Sequence, residues 1–323
     1  MEVNRVETTK RPLVILTGPT AVGKTALSIA LAKAIGGEII SADSMQVYRR
    51  MDIGSAKITQ EEMDGVPHHL IDVLEPEQEF NVVVFQKLAK QAAEEIYSRG
   101  HIPIVAGGTG FYIQALVYDI DFTENDEDTA LRHSLEEQAR RDGPEALFER
   151  LRAVDPESCE SIHAHNIKRV IRAIEFYEKT GKKISDHNRE QRQNTSPYNV
   201  AYFVLNDNRE RIYERINART DQMMAQGLEE EVRALWESGC RRDMVSMQGL
   251  GYKEMLAYLE GEISLDEAVY LIKRDTRHFA KRQLTWFRRE KEVIWIDKTA
   301  FDQNSQNIIN YMKDFLHEKG IIL

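Results

Sequence analysis

Residues 16–28 read LTGPTAVGKTALS and directly follow a short apolar run. The GxxxxGKT pattern that begins at Gly18 is typical of a phosphate-binding loop, because its glycines let backbone N–H groups approach phosphate oxygens. The helix that follows adds a positive partial charge at its N-terminus. Lys24 can bridge two phosphates, and the hydroxyl of Thr25 can bind Mg²⁺. The stretch therefore predicts a strand, a phosphate-binding loop and a helix, and it leaves the phosphate compound open.

Short apolar runs continue outward from this loop over residues 13–115. The runs LVIL, EIISAD and IPIVAGG each precede a turn or a helical pattern, with helices expected from about Lys24 and about Gly110. This alternation is typical of a parallel sheet with helices on its faces. Triphosphate hydrolysis usually needs a strand that ends in a metal-binding Asp, whereas IPIVAGG ends in glycines. We predict an α/β fold, a P-loop NTPase-like parallel sheet flanked by helices, that lacks this second NTPase element.

The character of the sequence changes at residue 119. From there to about residue 197 it contains no strand-like run, and helical segments follow one another. An apolar strand, AYFVLN, then returns, and further helices and a late strand, VIWID, follow it. We therefore predict a P-loop-type catalytic core from residues 1–118 and 198–323, interrupted by an all-helical insertion domain at 119–197.

Composition and charge bear on the partners of the chain. The 323 residues include 43 Lys and Arg against 53 Asp and Glu, a net charge of −10, which weakly disfavours nucleic-acid binding because phosphate backbones need clustered cations. Basic clusters nevertheless occur at 168–192 and 273–291. There is no apolar run long enough to span a membrane, no signal-peptide pattern, and two cysteines form no disulfide framework. We expect a cytoplasmic protein with no membrane contact.

Two motifs near the predicted sheet edge carry candidate chemistry. Asp43 follows the strand EIISA, at the carboxyl edge where open α/β sheets place their sites. Its carboxylate could coordinate Mg²⁺ through water or accept a proton from an amine or hydroxyl, or it could cap the following turn together with Ser44. The second glycine-rich turn, GGTGFY, is either a wall for a second substrate or a packing turn. The residues alone leave both alternatives open.

Two predicted helices carry basic residues along one face. In the first helix these residues recur every four positions and could clamp a diphosphate: Arg211, Arg215 and Arg219. In the second helix aromatic residues accompany them, which suits a nucleic-acid backbone: Lys273, Arg277, Lys281 and Arg288. A solvated charged face is the usual explanation of the first pattern, and an ordinary amphipathic helix is the usual explanation of the second.

Seven motifs lie one after another over nearly the whole chain, between residue 13 and about residue 296. They are GPTAVGKT (18–25), DSMQVYRRMDIGSAK (43–57), GVPHHLID (65–72), GGTGFY (107–112), NIKRVIRAIE (166–175), GLGYKEM (249–255) and TRHFAKRQLTWFR (276–288). Together they resemble the tRNA dimethylallyltransferases, also called tRNA isopentenyltransferases. The resemblance is to the bacterial form, which is without the zinc-finger extension of the eukaryotic relatives.

The resemblance implies what the loop binds and which reaction follows. The loop would hold the diphosphate of dimethylallyl diphosphate instead of ATP, through Gly18, Pro19, Thr20, Ala21, Val22, Gly23, Lys24 and Thr25. The dimethylallyl group would move to N6 of the adenine just 3′ of the tRNA anticodon, position 37, and diphosphate would leave. By the same resemblance Asp43 is the general base, Arg219 stabilises the leaving group, and Thr25 contacts the Mg²⁺ cofactor or the diphosphate.

The resemblance also implies a tRNA-binding surface. The target base would be flipped out of the anticodon loop into a pocket, and the helical insertion would grip the anticodon stem-loop. The implied contacts are Asp43, Ser44, Met45, Gln46, Thr109, Arg132, Lys168, Arg169, Val170, Ile171, Arg172, Gln248, Gly249, Gly251, Tyr252, Lys253, Lys281, Arg282, Gln283 and Arg288. We expect the protein to act as a monomer.

The phosphate-binding loop by itself fits two other classes of protein. A small-molecule kinase with a helical lid would use ATP and ignore tRNA. A nucleotide-gated RNA-binding protein would bind RNA without chemistry and would be indifferent to Asp43→Ala. The stretches DSMQVYRRMDIG and AKRQLTWFR weigh against both, because they are specific to the family that the chain resembles. The loop motif is generic and by itself would not exclude either class.

Overall fold

A six-stranded, wholly parallel sheet organises the computed structural model, which describes residues 10–122, 129–191 and 193–323. Its strands are β1 (Pro12–Thr17), β2 (Gly37–Ala42), β3 (His68–His69), β4 (Ile102–Gly107), β5 (Asn199–Asn206) and β6 (Val293–Asp297). Their order is β3-β2-β4-β1-β5-β6. The fold class predicted from the sequence is confirmed.

The central strand explains why the apolar run before the loop forms where it does. Strand β1 pairs with β4 on one side and with β5 on the other, so that Leu16 lies opposite Ala106 and Phe203. All four residues of 13–16 are fully buried. Parallel strands covered on both faces read as continuous hydrophobic runs, and the loop consequently emerges at the carboxyl edge of the sheet.

Helices cover the sheet and form the insertion. They are α1 (Lys24–Ile35), α2 (Gln60–Met63), α3 (Val82–Ser98), α4 (Gly110–Val117), α5 (Thr129–Asp142), α6 (Pro144–Val154), α7 (Ile167–Thr180), α8 (Ile184–Gln191), α9 (Arg209–Ala225), α10 (Leu228–Glu237), α11 (Tyr252–Leu259), α12 (Leu265–Phe287) and α13 (Ser305–Glu318). Short 3₁₀ turns occupy Ser158–Glu160, Ser246–Gln248 and Lys298–Phe301. None of the described helices is both long and apolar enough to cross a bilayer.

The chain divides into two compact units. The larger comprises Met1–Val117 and Ser196–Leu323 as far as these are described, and the smaller comprises Tyr118–Thr195. In the larger unit, α1 and α13 pack beside β1 and β5 in one hydrophobic core. In the smaller unit, α5, α6 and α7 enclose a separate core. Within the described residues of the smaller unit there is no strand.

Candidate active site

The loop between β1 and α1 needs glycine at two positions for different reasons. Gly18 has a φ of +144°, and a Cβ atom there would lie 2.5 Å from the carbonyl oxygen of Leu205 in β5. Gly23 precedes α1 with a φ of +97°, a left-handed conformation that side chains disfavour. The strand, loop and helix therefore follow one another as the sequence predicts, and the loop lies against the neighbouring strand.

Lys24 is the first residue of α1 and turns back over the loop. Its Nζ donates hydrogen bonds to the carbonyl oxygens of Gly18 at 3.0 Å and Pro19 at 2.8 Å. Burial lowers the pKa of Lys24 to about 8, with the charge of Asp43 opposing that shift and the charge of Arg219 adding to it. A desolvated ammonium at a helix N-terminus favours a bound anion, because the anion replaces the water that the ammonium has lost.

Asp43 lies in the turn after β2 and uses one carboxylate oxygen to fix that turn. Its Oδ1 accepts hydrogen bonds from the backbone N–H groups of Met45 at 2.8 Å and Gln46 at 3.3 Å. No described residue donates a hydrogen bond to Oδ2. The capping and the proton-accepting interpretations are thus compatible, because Oδ1 orients the carboxylate and Oδ2 stays available for a ligand.

Lys24, Asp43 and Arg219 come from three separate elements and form one electrostatic cluster. Asp43 raises the pKa of both Lys24 and Arg219, and desolvation is the main cause that lowers the pKa of each cation. Two cations and one half-free carboxylate therefore lie at the carboxyl edge of the sheet. This arrangement can bind an anion with several charged oxygens while the carboxylate accepts a proton.

The other two arginines of the predicted clamp on α9 do not join this cluster. Nη1 of Arg215 donates to Oδ2 of Asp207 at 2.8 Å, and Arg211 lies 4.0 Å from Oδ1 of the same residue. Asp207 follows β5, and its side chain is fully buried. The three-arginine clamp considered from the sequence is therefore wrong for Arg211 and Arg215. Sequence reasoning missed Asp207, which neutralises them.

A magnesium ion fits this site only if substrate phosphates and water supply most of its ligands. The described residues contain no group of three or more His, Cys, Asp or Glu side chains that could hold a metal ion. Mg²⁺ is commonly bound by one or two protein ligands together with substrate phosphates and water. Thr25, which is exposed at the start of α1, suits an ion that arrives with a bound phosphate compound.

The similarity to known proteins decides the family. The family model described as IPP transferase matches residues 46–290. The chain belongs to the IPP transferase family. Its members are prenyltransferases, and the protein is accordingly an enzyme.

Named relatives and solved structures agree with this family. The chain is 62% identical to the tRNA dimethylallyltransferase of Lachnoclostridium phytofermentans, over 97% of this chain and 99% of the relative. A tRNA isopentenylpyrophosphate transferase structure from Bacillus halodurans is 45% identical, with a TM-score of 0.73 over 96% of this chain and 98% of that one. A eukaryotic dimethylallyltransferase acting on tRNA is 29% identical, with a TM-score of 0.82 over 95% and 80% of the two chains.

The GGTGFY turn of this IPP transferase family member is built for close packing. A Cβ atom at Gly107 would lie 2.2 Å from the carbonyl oxygen of Ala42, and one at Gly110 would lie 2.2 Å from Trp286. The backbone N–H of Thr109 donates to the same Ala42 oxygen at 3.2 Å. The turn therefore places half-buried Thr109 next to the segment that carries Asp43.

Gln283 ties this turn to the phosphate-binding loop. Its Nε2 donates to the carbonyl oxygen of Gly108 at 2.9 Å, and its Oε1 accepts from the backbone N–H of Thr20 at 2.9 Å. The residue is 6% exposed. The expectation that Gln283 contacts tRNA is corrected here, because both ends of its amide are engaged within the protein.

Tyr252 is also a structural residue. It is fully buried, its hydroxyl donates to Oε1 of Glu231 at 2.8 Å, and its ring fills the space beside Gly54. The implied tRNA contact of its side chain is therefore wrong. Met45 packs closely against Gly249, since a Cβ atom there would lie 2.4 Å from the Met45 Cε.

Glu231 is a residue that sequence reasoning missed. One carboxylate oxygen accepts from the backbone N–H groups of Asp52 at 2.8 Å and Ile53 at 2.7 Å, and the other accepts from Gly54 at 3.0 Å. It therefore anchors the DSMQVYRRMDIGSAK stretch. Its only sequence signal is the acidic start of α10, which also suits a favourable helix dipole.

The remaining predicted residues of the larger unit differ in exposure. Ser44, Gln46, Gly249 and Lys253 are half-buried, and Gln248 is exposed. The Gln46 amide donates to the carbonyl oxygen of Ala56 at 3.0 Å. Gly251 is buried and donates its backbone N–H to Glu254, so its predicted contact is restricted to what its backbone reaches.

Helix α12 and the residue that caps its C-terminus present three predicted cations at the surface. Lys281, Arg282 and Arg288 are exposed, and none of them forms an ion pair with a described residue. A cavity of about 340 Å³ adjoins Lys281 and Arg288, and it is lined by Asn206, Asp207, Arg209, Ile212, Tyr213, Ala280, Lys281, Leu284 and Arg288. Ile212 and Ala280 also pack against Ala21 of the phosphate-binding loop, so basic surface and loop share one apolar floor.

In the smaller unit, the predicted contacts divide by burial. Val170 and Ile171 are 0% and 4% exposed and belong to the core of this unit. Their implied tRNA contacts are corrected accordingly, because the side chains are enclosed by protein. Lys168 and Arg169 lie at the start of the same helix, α7, and are exposed. The NIKRVIRAIE stretch thus alternates surface cations with core residues.

Two further arginines of the smaller unit interact electrostatically with one buried carboxylate. Arg132 donates to both oxygens of Glu175 at 3.1 and 2.9 Å. Burial lowers the pKa of Arg172, and the charge of Glu175 opposes that shift. The buried carboxylate therefore orients Arg132, and its charge favours the charged form of Arg172.

Proposed function

We propose that the protein transfers the dimethylallyl group from dimethylallyl diphosphate to N6 of the adenine immediately 3′ of the tRNA anticodon, position 37. The observation that carries the proposal is the cluster of Lys24, Asp43 and Arg219 at the phosphate-binding loop. The loop, α1 and both cations suit a diphosphate. The glycine end of β4 supplies no aspartate of the kind that binds Mg²⁺ in NTP hydrolysis.

The reaction separates charge, and the two cations of the cluster can stabilise the negative charge of the leaving group. The bond between the allylic carbon and a diphosphate oxygen breaks, so negative charge grows on the diphosphate beside Lys24 and Arg219. Such pre-oriented cations lower the barrier because they require no reorganisation during the step. A Mg²⁺ ion at Thr25 would supply further positive charge to the leaving group.

The acceptor needs a base. The N6 amine is a weak nucleophile because its lone pair is delocalised into the adenine ring, and it carries a surplus proton once the new N–C bond forms. Asp43 is oriented through Oδ1 and leaves Oδ2 free among the described residues. We propose that Oδ2 accepts this proton and later releases it to solvent.

The tRNA would be bound by exposed cations. In the larger unit these are Lys281, Arg282 and Arg288, and in the smaller unit they are Lys168 and Arg169. Charge of this kind neutralises phosphates without reading sequence. The proposal takes the enzyme to act as a cytoplasmic monomer.

The test compares variants in one assay that follows labelled dimethylallyl groups into unmodified tRNA with Mg²⁺ and no ATP. Asp43→Asn and Arg219→Gln are expected to lower kcat/KM by about a hundredfold or more, the usual loss for a general base or an oxyanion contact. Arg211→Gln is the matched control, because this arginine lies on the same helix and outside the cluster. Equal activity of all three variants would refute the assigned roles.

A further inference from the structure

Lys298 follows the edge strand β6, and its side chain reaches the phosphate-binding loop that follows β1. It begins the 3₁₀ turn after β6, and its Nζ donates to the carbonyl oxygen of Val22 at 3.2 Å. A Cβ atom at Gly23 would lie 3.2 Å from the same ammonium. Burial lowers the pKa of Lys298, Arg215 lowers it further and Asp207 opposes the shift. No described carboxylate forms an ion pair with it.

The contact falls on a particular peptide group of the loop. The carbonyl of Val22 and the N–H of Gly23 belong to one trans peptide, so they point in opposite directions. The Gly23 N–H donates to no described residue, and it immediately precedes α1. Unsatisfied N–H groups at such a position are those that bind phosphate oxygens.

We propose that Lys298 is a positioning residue for the diphosphate, acting through the Val22–Gly23 peptide. Its charged hydrogen bond to the carbonyl holds the peptide plane and polarises it, which makes the Gly23 N–H a stronger donor on the opposite side. Its positive charge also adds to that of the α1 N-terminus. The inference rests on the proposed function, in which this loop holds a diphosphate.

The charge of Lys298 separates this role from a simple structural contact. A neutral donor could hold the carbonyl in place, but it would polarise the peptide less. Lys298→Gln keeps a donor and removes the charge, Lys298→Arg keeps both, and Lys298→Met removes both. Lys313→Met is the matched control, because Lys313 is a half-buried lysine on α13 with no hydrogen bond or ion pair to a described residue.

The experiment measures the affinity of the full chain for inorganic diphosphate with Mg²⁺ by calorimetry, and the KM values for dimethylallyl diphosphate and tRNA. Lys298→Met and Lys298→Gln are expected to weaken diphosphate binding about five- to tenfold, as for loss of a charge-assisted contact. The KM for dimethylallyl diphosphate should rise in parallel, and the KM for tRNA should not change. Lys298→Arg should retain nearly full affinity.

Lys24→Met separates failure of this inference from failure of the proposed function. If Lys24→Met leaves diphosphate binding unchanged, the loop does not hold diphosphate and the proposed function fails. If Lys24→Met weakens binding while Lys298→Gln matches the unaltered protein, the charge of Lys298 has no role and the inference is overturned. Should Lys298→Met fail to fold, the Gln and Arg variants decide the question by the same criterion.

Discussion

Replacing Gln283 by Leu tests how the two glycine-rich turns are held together. The substitution removes two hydrogen bonds of 2.9 Å and leaves the Gly108 carbonyl and the Thr20 N–H without partners. Gly108 is buried and Thr20 is half-buried. An unsatisfied buried polar group costs about 1–3 kcal/mol and a partly hydrated one less. We therefore expect a loss of about 2–4 kcal/mol in the free energy of unfolding.

Thermal unfolding measures this loss, and diphosphate affinity reports the effect on the loop. In a unit of this size each 1 kcal/mol lowers Tm by about 2–4 °C. Gln222→Leu is the matched control, because Gln222 is exposed on α9. If Gln283→Leu shows the Tm and the diphosphate affinity of the control, the bridge between the turns is not what holds the loop, and the reasoning is refuted.

Three further predictions follow from the site. Burial lowers the pKa of Lys24 to about 8, so its ammonium is present below that pH and lost above it. Diphosphate affinity measured by calorimetry should therefore fall between pH 7 and 9, and Lys24→Arg should abolish that fall. A flat profile for the unaltered protein would mean that Lys24 is not a ligand. Glu231→Gln weakens the hydrogen bonds that three backbone N–H groups donate to this side chain. It should lower the free energy of unfolding in urea by about 2–4 kcal/mol, and an unchanged urea midpoint would contradict this. Lys281→Ala should weaken tRNA binding and reduce its salt slope by about 1, whereas equal affinity to Lys313→Ala at low and high salt would exclude a phosphate contact.

Much of the sheet was predictable because strands that are buried on both faces appear in the sequence as continuous hydrophobic runs. The strands around the loop appear as apolar runs, and the helix beginning at Lys24 has the glycine and flanks that it needs. Strand β3 was missed because it has two residues and exists through its pairing with β2. The sequence predicts a helical insertion but does not delimit helix α8 within it, because none of the residues of α8 is buried and the helix therefore shows no apolar stripe.

The site was predictable only where chemistry and motif coincide locally. Asp43 and Thr25 stood out as candidates from their place after a strand and at a helix start, and the family resemblance supplied their roles. The residues alone could not separate Arg219 from Arg215, because Asp207, which pairs with Arg215 in three dimensions, belongs to another element; the family resemblance made that choice. Family motifs also cannot distinguish a polar side chain that faces a ligand from one that holds the fold, which is why Gln283 was assigned to tRNA.

The central claim is that the loop serves prenyl transfer to one adenine, and the identity of the product tests it most directly. Purified protein is incubated with Mg²⁺, labelled dimethylallyl diphosphate and unmodified tRNA, without ATP, and the tRNA is digested to nucleosides. The account predicts label on N6-(dimethylallyl)adenosine from position 37, and none when that adenine is replaced by guanine. Unlabelled tRNA, together with ATP consumption on a small acceptor, would contradict it and indicate a kinase.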